Sequence, residues 1–257
     1  MCARGETTTS FDSQAGDALP DAPKPQTKKA DAVTLRALPV NILKDQGVIW
    51  TSPFHLKVRD LKVVLPLLGL TGVAISTDHY MLHNVVSHDA DFNNANTDAS
   101  NVMITGLLVT PALLYGVGHF DSNEHARETG LLGAEAIADG LIVEQGMKLI
   151  FWRERPNQGD GHGHFFEGSA GVDSSFPSSH SELAWATAAV IAGEYRNPWT
   201  QALVYSAATG VSLTRVLGQQ HFPADVVVGS ATGWLVGHYV YKHRHRWEAP
   251  RRFHVPR

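Results

Sequence analysis

A chain of 257 residues is long enough for one large domain with an appended tail and does not require two. Hydrophobic residues make up 43% and charged residues only 18%, below the roughly 25% charge of an average soluble protein, so the composition leans toward an apolar helical or membrane-associated protein. The net charge of -4 offers no basic stripe for a nucleic-acid partner, and the single cysteine, Cys2, rules out an internal disulfide or a thiolate metal site within one chain.

Residues 1–35 are rich in Thr, Ser, Asp, Ala, Pro and Lys without apolar periodicity, and they read as a disordered leader. No secretory apolar segment precedes them, and Cys2 reads as incidental. Residues 36–98 read as a first helix with connecting loops, 99–243 as the core, and 244–257 as a basic tail. Six helices are expected, near 60–78, 100–119, 124–153, 179–195, 199–217 and 223–243, giving an all-α bundle. The clearest loops are expected at Asn93 to Asp98 and at 157–176. The stretch 102–118 is uncharged over about the length of a bilayer span, and 226–241 comes close. The first helix runs into Asp78 and His79, and the third carries Glu135, Asp139 and Glu144, so neither reads as a plain lipid-facing span.

Three stretches of the second half concentrate the chemistry. In the first, Lys148 and Arg155 are seven residues apart, two helical turns or roughly 10 Å along one face, with Pro156 stopping the helix. In the second, Pro177-Ser178-Ser179-His180 precedes an apolar helix, so a serine cap and free amides form an anion site with an imidazole at its mouth. In the third, Thr214-Arg215 closes one helix near Gly218 and Pro223 opens the next, with His221 at the junction. Asp225, four residues after His221, is placed to accept a proton from one ring nitrogen and leave the other free to attack. Any one of these is ordinary by itself: helix-terminal cations, an unliganded cap, a surface His–Asp pair.

In this order the stretches resemble the signature of the type 2 phosphatidic acid phosphatase superfamily, which includes bacterial acid phosphatases and vanadium haloperoxidases. That pattern is K-x6-R-P, then P-S-G-H, then S-R-x5-H-x3-D. Ser179 stands where the family usually has Gly, and Thr214 where it has Ser. The resemblance covers roughly 100–243 and implies a helical bundle with its active site at helix ends. It implies that His221 attacks phosphorus and becomes a phosphohistidine, that Asp225 orients it, and that His180 protonates the leaving oxygen and then activates water. Lys148, Arg155 and Arg215, with Ser178, Ser179 and local amides, would hold the phosphate oxygens. No metal and no cofactor is implied; vanadate would inhibit, or serve as cofactor in a haloperoxidase.

The expectation is therefore a phosphatase of the bacterial cell envelope acting on a phosphorylated lipid, membrane-associated, with the site facing the periplasm or exterior. Alternatives are a soluble periplasmic broad-specificity acid phosphatase acting on small phosphoesters, a vanadium haloperoxidase, or a non-catalytic phosphate-binding membrane protein. Two loop features stand outside the signature. Asp160, His162 and His164 invite a metal reading, discounted because Gly-flanked histidines are flexible; Phe165 and Phe166 either rim the site for a lipid tail or pack on the bundle. The basic residues after 241 read most simply as a solvated end; if the last helix spans a membrane, they favour its cytoplasmic side.

Overall fold

The computed structural model describes residues 34–246. Cys2, nearly all of the expected leader and most of the basic tail lie outside the described residues. Within them the chain folds into α1 (Leu38–Thr51), α2 (Leu61–Asn84), α3 (Ala90–Phe120), α4 (Glu124–Phe151), α5 (Ser179–Glu194), α6 (Pro198–Leu217) and α7 (Pro223–Arg244), with two short 3-10 turns and no strand. The all-α expectation holds, with one helix more than six.

The additional helix is α1, which lies against α4. The expected loop from Asn93 to Asp98 is helical instead. Asp89 caps α3 by accepting the amide of Phe92 at 2.8 Å, so the helix begins before the asparagines. These polar residues then pack on the end of α6: a Cβ placed on Gly218 would meet Oγ1 of Thr97 and the carbonyl of Asn93. Tertiary contact overrides their weak helical preference. The segment 157–176 is a loop as expected, apart from the turn Gly171–Asp173.

At the centre lies α5, whose alanines 184, 186 and 188 are fully buried on different sides of the helix. A helix buried all round needs small residues to let neighbours approach. Gly229, Gly233 and Gly237 of α7 repeat every four residues, and a Cβ on each would fall 2.0 to 2.6 Å from the carbonyl oxygens of Ser178, Glu182 and Ala186. The two helices thus meet backbone to backbone, which fixes the start of α5 against the start of α7.

Polarity runs opposite to the usual soluble pattern. Leu65, Leu68, Val73 and Val102 face outward, while Glu135, Asp139, Lys148, Arg153 and Glu182 are buried. Both α2 and α3 are long and apolar enough to cross a membrane by length and composition, and most of each is exposed. The expectation for α2 is thereby corrected: Asp78 is buried against the bundle and leaves the helix's outer face apolar. The stretch 226–241 lies in α7, which is not among the helices that meet this measure.

Candidate active site

The C-terminal ends of α4 and α6 and the N-terminal ends of α5 and α7 share one end of the bundle. The first differs from expectation. Trp152 adopts a left-handed conformation, φ 30°, and terminates α4 at Phe151, four residues ahead of Pro156. Lys148 is therefore on the helix and Arg155 on the chain beyond it, so they do not share a helical face.

The turn that ends α4 buries Arg153, a residue outside the three expected stretches' assigned roles. Its Nη1 donates to Oδ1 of Asp225 at 2.6 Å, its Nη2 to Oδ2 of Asp78 at 2.7 Å, and its Nε to the carbonyl of Gly163 at 2.9 Å. Rings of Phe165 and Phe222 cover the guanidinium at 4.6 and 4.2 Å. Asp78 also accepts the amide of Ala224 at 2.9 Å. One buried cation thus ties α2, the loop and α7 together.

His221 is 1% exposed. Its Nδ1 donates to the backbone carbonyl of Ser175 at 2.8 Å, while Oδ2 of Asp225 is 3.6 Å away. The tautomer is thus held first by a carbonyl, with the Asp225 charge facing the same nitrogen. That carboxylate instead accepts Oγ of Ser175 at 2.6 Å and the amide of Phe222 at 2.9 Å. No hydrogen bond from a described residue reaches Nε2 of His221, the nitrogen left with a lone pair. Burial drives the imidazole down to about 4, with Asp225 opposing, so it is neutral at neutral pH.

Three cations gather around it through shared partners. Lys148 Nζ and Arg155 Nη2 both donate to the carbonyl of Val172, at 3.2 and 3.4 Å. Arg155 Nη1 reaches the carbonyl of Gln220, the neighbour of His221, at 3.3 Å. Arg215 is 6% exposed, and its Nε has no hydrogen-bond partner. Burial and the nearby charge of Arg155 lower it to about 10. Lys148 has a counter-ion, Glu144, at 2.9 Å. A buried guanidinium without a carboxylate partner, beside a second one, is electrostatically incomplete without an anion.

His180 stands at the start of α5, its Nε2 donating to Oδ1 of Asn101 on α3 at 3.1 Å. Burial, followed by the charges of Arg215 and its neighbours, depresses it to about 3. Ser178 occupies the cap position but makes no side-chain cap; its hydroxyl receives Ser181 Oγ at 3.2 Å. The first backbone bond of the helix comes from Glu182 to Ser178, so the amides of Ser179, His180 and Ser181 precede it. Ser179 donates its hydroxyl to Glu144, the partner of Lys148, and Thr214 returns its own to Gly210 within α6 at 2.8 Å. Both hydroxyls are thus engaged within the protein.

In the loop, Asp160 meets His162 and His164 at 3.3 and 3.2 Å, all three exposed. The ring of His162 stacks on His79 at 3.8 Å. Phe165 packs on Arg153 and Phe176, while Phe166 is exposed. Both rings border an apolar cavity of about 440 Å³, shared with Leu68 and Ile75 of α2, Met147 of α4 and Val228 of α7.

Helix ends thus bring together a buried arginine without a carboxylate partner among the described residues, two further cations and two neutral histidines at one end of a helical bundle. Residues 129–249 match the family model of the PAP2 superfamily. A segment of 104 residues is 36% identical to the lipid A 1-phosphatase of Porphyromonas gingivalis; it takes in 40% of this chain and spans about a fifth, 20%, of that relative. The crystal structure of the transmembrane PAP2 type phosphatidylglycerolphosphate phosphatase from Bacillus subtilis superposes loosely, at a TM-score of 0.46 and 18% identity, over 79% of this chain and 94% of its own.

Proposed function

We propose that this chain is a phosphatase that hydrolyses a phosphomonoester or diphosphate of a lipid through a phosphohistidine. The single observation that carries the reading is the buried Arg215, without a carboxylate partner among the described residues, beside Arg155 and the open nitrogen of His221. In the first step Nε2 of His221 bonds to phosphorus as the bond to the leaving oxygen breaks, and His180 gives that oxygen a proton. In the second, His180 takes a proton from water, whose oxygen displaces the histidine and releases phosphate. Lys148, Arg155, Arg215 and the first amides of α5 stabilise the equatorial oxygens, the role cations play in phosphoryl transfer.

The free enzyme's His180 is too acidic to carry a proton at neutral pH. Its depression comes from burial and then from Arg215 and its neighbours, and an anionic substrate neutralises those charges. Substrate binding thus relieves the part of the depression that comes from charge, while burial continues to hold the imidazole down. Asp225 acts through Ser175, Phe222 and Arg153 as well as through the imidazole.

A lipid substrate is favoured by the outward apolar faces of α2 and α3 and by the cavity beside Phe176, which adjoins the Pro177 segment. With α2 and α3 crossing the membrane, the basic residues ending α7 lie at the opposite end from the site and favour the cytoplasmic side, leaving the site toward the periplasm or exterior. The test is phosphate release from lipid and soluble phosphoesters, using membrane and soluble fractions, with His221→Ala beside the parent. Loss of release in the variant and a preference for lipid substrates in the membrane fraction are expected. Full turnover by His221→Ala overturns the nucleophile.

A further inference from the structure

A second charged cluster lies well away from the phosphate site. Glu135 precedes Lys148 by 13 residues, about 20 Å along α4. Asp45 of α1 and Glu135 and Asp139 of α4 are each fully buried, and one oxygen from each lies within 4.8 Å of the others. Arg244, from the end of α7, is the cation paired with them: its Nη2 is 2.6 Å from Oδ1 of Asp45 and its Nε 3.3 Å from Oε1 of Glu135. Asn41 donates to Oε2 of Glu135 at 3.3 Å, Gln46 to Oδ1 of Asp139 at 2.8 Å, and Tyr239 to Oδ1 of Asp45 at 3.3 Å.

These contacts leave a remainder. Oδ2 of Asp45, Oδ2 of Asp139 and Oε1 of Glu135 are buried and have no hydrogen-bond partner. Three carboxyls face one guanidinium where water does not reach, and burial first, then the neighbouring Asp45, raise Glu135 to about 8 and Asp139 to about 7. Buried charge that is neither paired nor solvated is costly, and buried unsatisfied oxygens signal a missing partner. An all-oxygen set of this kind matches a hard divalent cation. Magnesium retains several of its own waters, whereas calcium accepts carboxylates in irregular geometry.

We infer that Asp45, Glu135 and Asp139 form a calcium site that clamps α1 to α4 near the end of α7, independent of the phosphate chemistry. Its charge balances the triad that Arg244 only partly neutralises.

The test uses the full chain in detergent, stripped with chelator and then given calcium chloride alone. The melting temperature rises by several degrees in the parent, and Asp139→Asn, which keeps the acceptor used by Gln46, loses that rise. Terbium, which takes the same ligands, gives saturable luminescence excited through Tyr239 and Trp50 and is displaced by calcium. If Asp139→Asn fails to fold, Glu135→Gln serves in the same two measurements. Absence of a calcium shift and of terbium luminescence in the parent, as for a triad neutralised by protons, overturns the site, as does an unchanged response in the variant. Neither readout involves phosphate release, so the outcome stands apart from that of the phosphatase reading.

Discussion

Arg153 and Asp225 are joined by a hydrogen bond of 2.6 Å with both side chains essentially inaccessible, 72 residues apart in sequence. This pair holds the carboxylate that faces His221 and, through the other face of the guanidinium, brings in Asp78 from α2. Burial pushes the Asp225 carboxyl up, but His221, Arg153 and Ser175 outweigh it and keep it ionised.

Breaking that junction is expected to act on stability first. Arg153→Met removes the partner of two buried carboxylates, and losing one side of a buried ion pair costs about 3–5 kcal/mol. The denaturation midpoint should fall accordingly. Asp78→Asn, which keeps an acceptor for the amide of Ala224, should cost less.

Ser175 separates two ways of holding His221. The variant Ser175→Ala keeps the carbonyl that accepts Nδ1 and loses the hydroxyl's bond to Asp225 together with its longer, 3.4 Å contact with Nδ1. Phosphate release should fall less than about tenfold, against about 10²–10⁴ for Asp225→Asn, measured as kcat on one substrate. Equal losses would return the tautomer-setting role to Asp225.

The pH dependence follows from His221. Its pKa is depressed to about 4, so the nucleophile is neutral above that pH, while the general acid His180 is depressed to about 3; kcat/KM should therefore rise as pH falls from neutral and decline only once pH passes below about 4. The same shift has a stability consequence of defined sign: between the ordinary histidine value and about 4 the unfolded chain binds the proton that the folded chain refuses. Folding stability should therefore fall as pH falls across that window. A limb of kcat/KM near the ordinary histidine value would contradict the burial of the ring.

Glu144 is paired with Lys148 and, under the proposed function, competes with the phosphate for it. In Glu144→Gln, inhibition by inorganic phosphate should tighten, on the order of tenfold, as the lysine is released to the anion. Without phosphate the variant should melt lower, and with phosphate the difference should narrow. Ser179→Gly removes a donor from the same carboxylate. KM should rise a few fold as Glu144 closes on Lys148.

The buried carboxyl of Glu182 offers a contrasting case, since neither of its oxygens has a partner and burial raises it well above the ordinary range. Glu182→Gln should leave the melting temperature unchanged or higher, because a neutral amide replaces a group that burial already disfavours as an anion.

The helices of the second half were legible because apolar runs there end in Gly218 or begin with Pro223, and the backbone obeys both signals. The residues expected to bind phosphate and do the chemistry gather at one end of the bundle. What the sequence concealed depended on distance along the chain or on conformation. Trp152 ends α4 without glycine or proline to announce it, so Lys148 and Arg155 looked like neighbours on a helix. The link from Arg153 to Asp78 spans 75 residues, and no spacing rule connects them. Asn101, the partner of His180, sits in an apolar helix where a single amide carries no local signal. Ser175 takes part mainly through its carbonyl, which every residue has.

The seam of Gly229, Gly233 and Gly237 against α5 bears on more than packing. Helices driven together by expulsion of water lose that force among lipid tails, whereas helices in direct main-chain contact retain dispersion forces in either surroundings. A side chain added anywhere along this seam would pry open the spacing between His180 and Asp225, so the reacting groups are gauged by the absence of three side chains. The working distances of the site are thus set by something a bilayer cannot dilute.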